Sequence, residues 1–345
     1  MDIRRVAEEA GVSTATVSRT MSGRGPVKEA TRQRVLRAAE RLNYQPSAAA
    51  QSLRTERTMI IGVLVPDLGN PVFVPFLRGV QHVAQSHAYS VLVVDAQRSA
   101  AIEQQALDRL RAQGVDALVL AGPAREAARV REFLRAGIVV MDPDQAAGSR
   151  RSRIAELELP GTRAMCEALA ALGHRRVAYI SRETVPGVAG QRRWRSMSRH
   201  FQTLGVKVEQ LALGARRSPP DVAEVLLGLL RPPERVSALV CSTHGLAPSL
   251  LRGLHAGGIE LPDDCSFVTY GDSEWAEAYR PALSVVTLDL YKVAVSMTTA
   301  AIRALNDERT PLGAEPVLEA SFLRRDSVGA AARGRWRERP PLSFC

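Results

Sequence analysis

The side chains that could do chemistry in this sequence gather in two places. Near the N-terminus, "VSTATVSRTMSG" (residues 12–23) sets six hydroxyls, on Ser13, Thr14, Thr16, Ser18, Thr20 and Ser22, around a single arginine, Arg19. Short hydroxyl residues compete with the backbone for hydrogen bonds and are middling helix formers, so a helix made of them needs another reason to exist. A major groove about 12 Å wide supplies one: small side chains let a helix approach closely, and hydroxyls donate to phosphate oxygens. Arg19 can pair with a guanine edge, and the methyls of Thr14 and Ala15 can touch a thymine methyl. Ser13, Thr16 and Ser18 are then phosphate contacts. The second place is a set of polar and aromatic residues at the ends of apolar runs: Asp67, Asn70, Phe73, Asp95, Arg193, His244, Asp272 and Trp275. The carboxyl ends of parallel strands are where α/β proteins hold small ligands.

Catalytic chemistry has little to stand on. Among the six histidines, His82, His87, His174, His200, His244 and His255, none falls in an HExxH pattern, and the chain has no GxSxG and no phosphate loop. His174, in "LGHRR", reads as a structural turn residue. "VPDLGNPV" after the first apolar strand has one glycine where a dinucleotide fingerprint needs three. The four cysteines, Cys166, Cys241, Cys265 and Cys345, form no CxxC pair, which argues against a disulfide framework and a zinc site. The expectation is a protein that is no enzyme, with no metal and no cofactor. The alternative is a cytoplasmic enzyme or small-molecule binding protein without DNA function.

The elements that must position these residues follow from periodicity. Ile3, Val6, Ala7 and Ala10 recur at helical spacing and stop at Gly11; Ser13 can cap a second helix, Thr14 to about Met21, with Val17 and Met21 inward. A third helix, about Glu29 to Asn43, places Val35, Ala39 and Leu42 on one face. Helix, glycine turn and helix make the helix-turn-helix pattern. Pro46 ends the third helix, and Ser47 can cap a short alanine-rich helix that contains Leu53; at this length it needs a partner to stay folded. From residue 59, apolar strands at 60–66, 90–96, 117–122, 138–142, 176–181, 238–243, 267–272 and 284–289 alternate with helical stretches, which implies parallel sheets covered on both faces. They group into two blocks, about 59–155 and 156–285, with a last helix from Leu290 to Asn306 crossing back.

Charge divides the chain the same way. Residues 1–58 hold 11 Lys/Arg against 6 Asp/Glu and residues 324–345 hold 6 against 2, whereas 59–323 hold 29 against 28. A basic module on a nearly neutral body points to a polyanion partner met through the module. With 345 residues, 46% of them hydrophobic, the body can bury a full core. No run is long enough to span a membrane and the charged start is no signal peptide, so the expected location is cytoplasmic, at the nucleoid.

Taken in order, "IRRVAEEAGVSTATVSR", "VKEATRQRVLRAAERLNYQPSAAAQSL" and "IIGVLVPDLGNPVF" resemble the lactose/galactose repressor family of bacterial transcription regulators. The likeness continues through "ALGHRRVAYI", "LPDDCSFVTYGDS", "RPALSVVTLDL" and "FLRRDS", over about residues 2–327. It implies an α plus α/β protein: a helix-turn-helix domain at 1–46, a hinge helix and linker at 47–58, and a two-lobed periplasmic-binding-protein-like core at 59–328. It also implies a homodimer that represses at a palindromic DNA operator and responds to a small effector. Thr14, Ala15 and Arg19 match the base-reading positions, and Leu53 matches the leucine inserted into the minor groove at the operator centre. Phe73, Arg193, His244 and Asp272 fall at the effector site, Arg193 as its clamp, with Arg192 nearly as good a match.

Departures from the family pattern bear on both ends. Ser47 and Gln51 replace the hinge's usual Asn and Arg, which weakens phosphate contacts there. Thr243-His244 stands for an Asn-Asp pair, and Thr269-Tyr270-Gly271-Asp272 for Gly-Phe-Asp-Asp, with one carboxylate fewer. Carboxylates grip sugar hydroxyls through charge-assisted bonds, so their loss argues against a plain hexose and leaves a less hydroxylated or anionic metabolite met by Arg193 and His244, or a degenerate pocket, as equal alternatives. The Pro-, Gly- and Arg-rich tail, 329–345, is expected to be disordered.

Overall fold

The computed structural model describes residues 3–22, 26–44, 57–122, 127–142, 153–182, 188–214, 218–231, 235–306 and 318–331. Ser47, Gln51 and the expected hinge helix with Leu53 lie outside them, as do Cys345 and the basic arm from residue 332. The chain divides into two compact units between Met59 and Ile60.

The first unit has three helices: α1 (Ile3–Ala10), α2 (Thr14–Ser22) and α3 (Glu29–Arg41). Gly11, at φ +60°, ends α1; its N–H donates to the Glu8 carbonyl, and the Val12 N–H reaches back to the Ala7 carbonyl. That left-handed stop satisfies two carbonyls the helix end would otherwise leave bare. Two residues on, the Ser13 hydroxyl accepts the Thr16 N–H at 3.2 Å and starts α2. The turn is therefore set by local chemistry. The core that holds the three helices is small: Val6, Ala7, Ala10, Val17, Val35, Ala38 and Ala39, with Met21 and Leu42 packed against it.

The second unit holds two sheets. In the first lobe β1 (Ile60–Val65), β2 (Ser90–Asp95), β3 (Ala117–Leu120) and β4 (Val139–Met141) lie in the order β2-β1-β3-β4, all parallel. Helices α4 (Phe73–Ser86), α5 (Ala100–Ala112) and α6 (Ala127–Arg135) connect them. The second lobe contains α7 (Arg153–Ala171), β5 (Arg176–Ser181), α8 (Val188–Thr203), β6 (Lys207–Ala212), α9 (Pro219–Leu230), β7 (Ala238–Cys241), α10 (Ala247–Ala256), β8 (Ser266–Tyr270), α11 (Glu274–Ala278) and β9 (Ser284–Thr287). After β9, α12 (Leu290–Leu305) crosses back to pack on α4, β3 and β4, and β10 (Ser321–Leu323) returns antiparallel to β9. The second sheet reads β10-β9-β8-β7-β5-β6.

All eight strands expected from apolar runs are present; the inner ones are buried on both faces and apolar throughout, while the edge strands β2 and β4 are apolar though only partly buried. In β5, Val177 and Tyr179 face the cluster under α7 and α8, while Ala178 and Ile180 face the cluster under α9 and α10. β6 and β10 carried no such signal. β6, "KVEQLA", is an edge strand with every residue at least partly exposed, and its sequence is of mixed polarity. The C-terminal boundary also falls later than residue 328. Gly329 accepts a hydrogen bond from the fully buried His174 Nε2 at 3.1 Å, and the Ala331 N–H donates to the Leu172 carbonyl. His174, held by Ser237 as well, braces this end of the second lobe.

Helix crossing at α4–α12 requires a glycine. A Cβ on Gly79 would lie 2.6 Å from the Tyr291 carbonyl oxygen and 2.9 Å from the Ala294 Cβ. Gly79→Ala should therefore cost roughly 1–3 kcal/mol through overpacking. Gly228→Ala, in the exposed face of α9 with nothing within 4 Å, should stabilise by about 0.5–1 kcal/mol. Denaturant titration of both variants checks this; equal effects of either sign would refute the packing argument.

Candidate functional site

Two surfaces collect the expected functional residues, one in each unit. On α2, Ser13, Thr14, Ala15 and Arg19 are exposed, and Thr16 and Ser18 are half-buried. The opposite face is closed: Val17 is fully buried, and Thr20 is 5% exposed with its hydroxyl donating to the Thr16 carbonyl at 2.8 Å. Of the six hydroxyls, Thr20 thus belongs to the core side. Ser13, Thr14, Thr16 and Ser18 all keep some exposure. Residues 15 and 19 are one helical turn apart, which places Ala15 and Arg19 together.

In the second unit a cavity of about 520 Å³ lies past the carboxyl ends of the strands of both lobes. That size suits a small metabolite. From the first lobe, the turn after β1 supplies its wall: Asp67 Oδ1 accepts the Gly69 N–H at 2.9 Å, Asn70 Oδ1 accepts the Val72 N–H, and Phe73 opens α4 against the cavity. From the second lobe come Glu158, Arg182, Arg193, Ser242, Tyr270 and Asp272. The lobes touch beside it. Asn70 Nδ2 donates to Thr243 Oγ1 at 3.4 Å, and a Cβ on Gly271, at φ +98°, would come within 2.7 Å of Val72 Cγ1. An aspartate in place of Gly271 would have no room, which accounts physically for the missing carboxylate.

Arg193 lines the cavity with all three of its nitrogens engaged. Its Nε donates to Glu158 Oε2 at 2.9 Å, Nη2 donates to Glu158 Oε1, and Nη1 donates to the Ser242 carbonyl at 2.9 Å. The guanidinium also lies 4.8 Å from the centre of the Tyr270 ring. Burial works against its charge, but Glu158 more than offsets this and holds the guanidinium pKa above its usual value. Asp272 is committed in the same manner: Arg325 Nη1 and Nη2 donate to its two oxygens at 2.9 and 2.7 Å, and the Ser273 N–H adds a third bond. Glu158 and Arg325 were not singled out in the sequence. "IAELELPG" and "FLRRDS" give no local sign that either residue pairs 35 or 53 residues away.

His244, expected to face the ligand, is placed otherwise. It is fully buried, 4.5 Å from the Trp275 ring, with Nε2 2.7 Å from Ser273 Oγ, and it is absent from the described cavity wall. Burial lowers its pKa to about 4, although the Asp272 carboxylate pulls the other way. A neutral ring of such low basicity is also a poor general base for Ser273. Asp95 lies outside the described wall too, its Oδ1 accepting the Leu68 and Gln97 N–H groups. Among the described residues no cluster of His, Cys, Asp and Glu could hold a metal ion, and no helix is long and apolar enough to cross a membrane.

A small basic helix-turn-helix unit followed by a two-lobed α/β core with a cleft defines a DNA-binding regulator class, and comparison with known proteins agrees. Residues 2–47 match the family of bacterial regulatory proteins of the lacI type, and residues 166–328 match a periplasmic binding protein-like domain. The ribose operon repressor of Haemophilus influenzae is 30% identical over 337 residues, covering 95% of this chain and 97% of that protein. Catabolite control protein A of Priestia megaterium is 25% identical, covering 85% and 89%. The lac repressor dimer bound to operator and the anti-inducer ONPF shares the fold, with a TM-score of 0.78 at 22% identity over 96% of this chain and 99% of that one. The chain belongs to the LacI family and is a sequence-specific DNA-binding transcriptional regulator.

The buried His244 has a pH consequence. Its folded-state pKa lies below the unfolded value of 6.5, so the unfolded chain binds more protons between pH 6.5 and 4 and stability falls as pH drops through that window. The linkage amounts to roughly 2 kcal/mol between pH 7.5 and 5. His244→Gln should flatten the wild-type slope over this range by about that amount in denaturant titrations. An unchanged slope would mean that His244 protonates freely in the fold.

Proposed function

We propose that this regulator is a homodimeric repressor that binds a palindromic double-stranded operator and whose operator affinity changes when a small molecule occupies the cleft. The exposed face of α2, inside the module that matches the LacI family, is the observation behind this reading. Thr14, Ala15 and Arg19 contact base edges; Ser13, Thr16 and Ser18 contact phosphates; Leu53 wedges into the minor groove at the centre. The named functions of the relatives support it by likeness. Dimerisation gives the short hinge segments the partner they need, and the edge strand β2, with Val93 exposed, is a surface that another copy can cover.

Phe73, Arg193 and Asp272 belong to the effector site, Arg193 and Asp272 as fixed parts of its wall, and His244 supports Ser273 from behind. An effector shifts operator affinity only by its differential affinity for the two states, commonly 1–3 kcal/mol. The protein performs no catalysis and works in the cytoplasm on the nucleoid. The regulator roles of its relatives and the low basicity of His244 favour this over an enzyme.

Genomic fragments from around its own gene should shift in gel retardation, with affinity falling about a thousandfold or more between 50 and 200 mM salt if six to ten phosphates are contacted. Absent or salt-insensitive binding would favour a sensor without DNA function. Arg19→Ala should cost roughly 1–3 kcal/mol and relax preference at one position of each half-site. Uniform weakening on all sequences would make Arg19 a phosphate contact.

A further inference from the structure

The cleft's charges answer one another. An arginine recognises an acidic ligand by laying two parallel N–H donors against its oxygens. On Arg193 that fork already holds an acid: Glu158 takes Nε and Nη2, and the Ser242 carbonyl takes Nη1. Both members are mostly withdrawn from water, at 19% and 14% side-chain exposure. Glu158 is held in place by its helix. Pro160 follows it in α7, and Gly161 lets the backbone of β10 approach so closely that a Cβ there would lie 3.0 Å from Ala320. The Leu157 carbonyl accepts the Ala320 N–H at 2.8 Å, tying this turn to the second sheet.

The remaining wall, to which Arg98 and Arg182 also contribute, is acidic on balance. Arg182 Nη2 donates to the Gly245 carbonyl at 3.0 Å, and His244 is a neutral buried ring. Among the described lining residues, carboxylates outnumber arginines six to three. Glu274 and Glu277, exposed in the first turn of α11, are ordinary for a helix start and only reinforce the sign. An anion entering a half-enclosed cavity would lose hydration and find its receptor occupied.

We propose that Glu158 sets the ligand class of the cleft: by filling the fork of Arg193 it closes the site to acidic metabolites, and the effector is a small molecule without negative charge. The proposal rests on the cleft being the effector site. It makes Glu158 a specificity residue and Arg193 a fixed strut between α7, α8 and the end of β7.

Binding of acetate and of inorganic phosphate to the full chain, by thermal shift and calorimetry against chloride at equal ionic strength, tests it. The wild type should respond no more than to chloride. Glu158→Ala should unfold at a lower temperature, and acetate, taking the place of the lost carboxylate, should restore stability with affinity at least tenfold above any wild-type value. Arg193→Leu added to Glu158→Ala should abolish the rescue. Should Glu158→Ala fail to fold, Glu158→Gln must show the gain of acid binding. Saturable acid binding by the wild type that Arg193→Leu removes, or no gain in either Glu158 variant, overturns the proposal. Operator binding measured alongside separates the two readings: acid gain without any change in operator affinity leaves the charge rule standing and refutes the cleft as regulatory. Intact operator binding without acid gain refutes the charge rule alone.

Discussion

A guanidinium removed from water must find its counter-charge inside the protein, and the architecture of the cleft follows from that constraint. The Arg193–Glu158 pair joins α7, α8 and, through the Ser242 carbonyl, the end of β7. The Asp272–Arg325 pair joins the end of β8 to the segment after β10, with Arg325 also reaching the Leu283 carbonyl. One charged pair therefore ties the helices of the second lobe to its ligand face, and the other ties the returning chain to it. Removing one partner of such a pair leaves a buried charge uncompensated, commonly a loss of 3–5 kcal/mol, whereas an apolar pair in its place can be neutral. Their value lies in fixing one arrangement of the wall more than in net stability.

The DNA-binding unit works by an opposite economy of means. Its core is seven small or β-branched side chains, and four of these are alanines. Small residues keep the helices close and leave α2 narrow enough for a groove. The cost is a marginal core, since a unit of this size buries little apolar surface. Local devices compensate: a left-handed glycine stop, a serine cap and the Thr20 back-bond fix the turn and the orientation of α2 within about ten residues.

Within the larger unit, glycine marks the places where surfaces meet. Gly79 admits α12 against α4, Gly161 admits β10 against α7, and Gly271 admits Val72 at the meeting of the lobes. Each tolerates no Cβ without displacement of a neighbour. These contacts make the crossing helix and the two lobes parts of one packed body, so that a ligand in the cavity touches elements from both.

The sequence by itself determined whatever depends on near neighbours along the chain. Helices α1 to α3, their stops and caps, and the eight apolar strands follow from patterns repeating every two to four residues, and the basic charge of residues 1–58 is a matter of counting. That Ala15 and Arg19 face outward was legible for the same reason, because Val17 and Met21 fix which side of α2 faces inward. The exposure of Thr14, three residues before Val17, was not. β6 and β10 escaped because an edge strand of mixed polarity and a three-residue return leave no period to read. The tertiary structure alone decided the character of the cleft. That Arg193 is engaged, that Asp272 answers Arg325 and that His244 is a neutral ring behind the wall all depend on residues 29 to 53 positions apart. Charge pairing and desolvation act through space, and only the path of the folded chain determines which side chains share a low-dielectric neighbourhood.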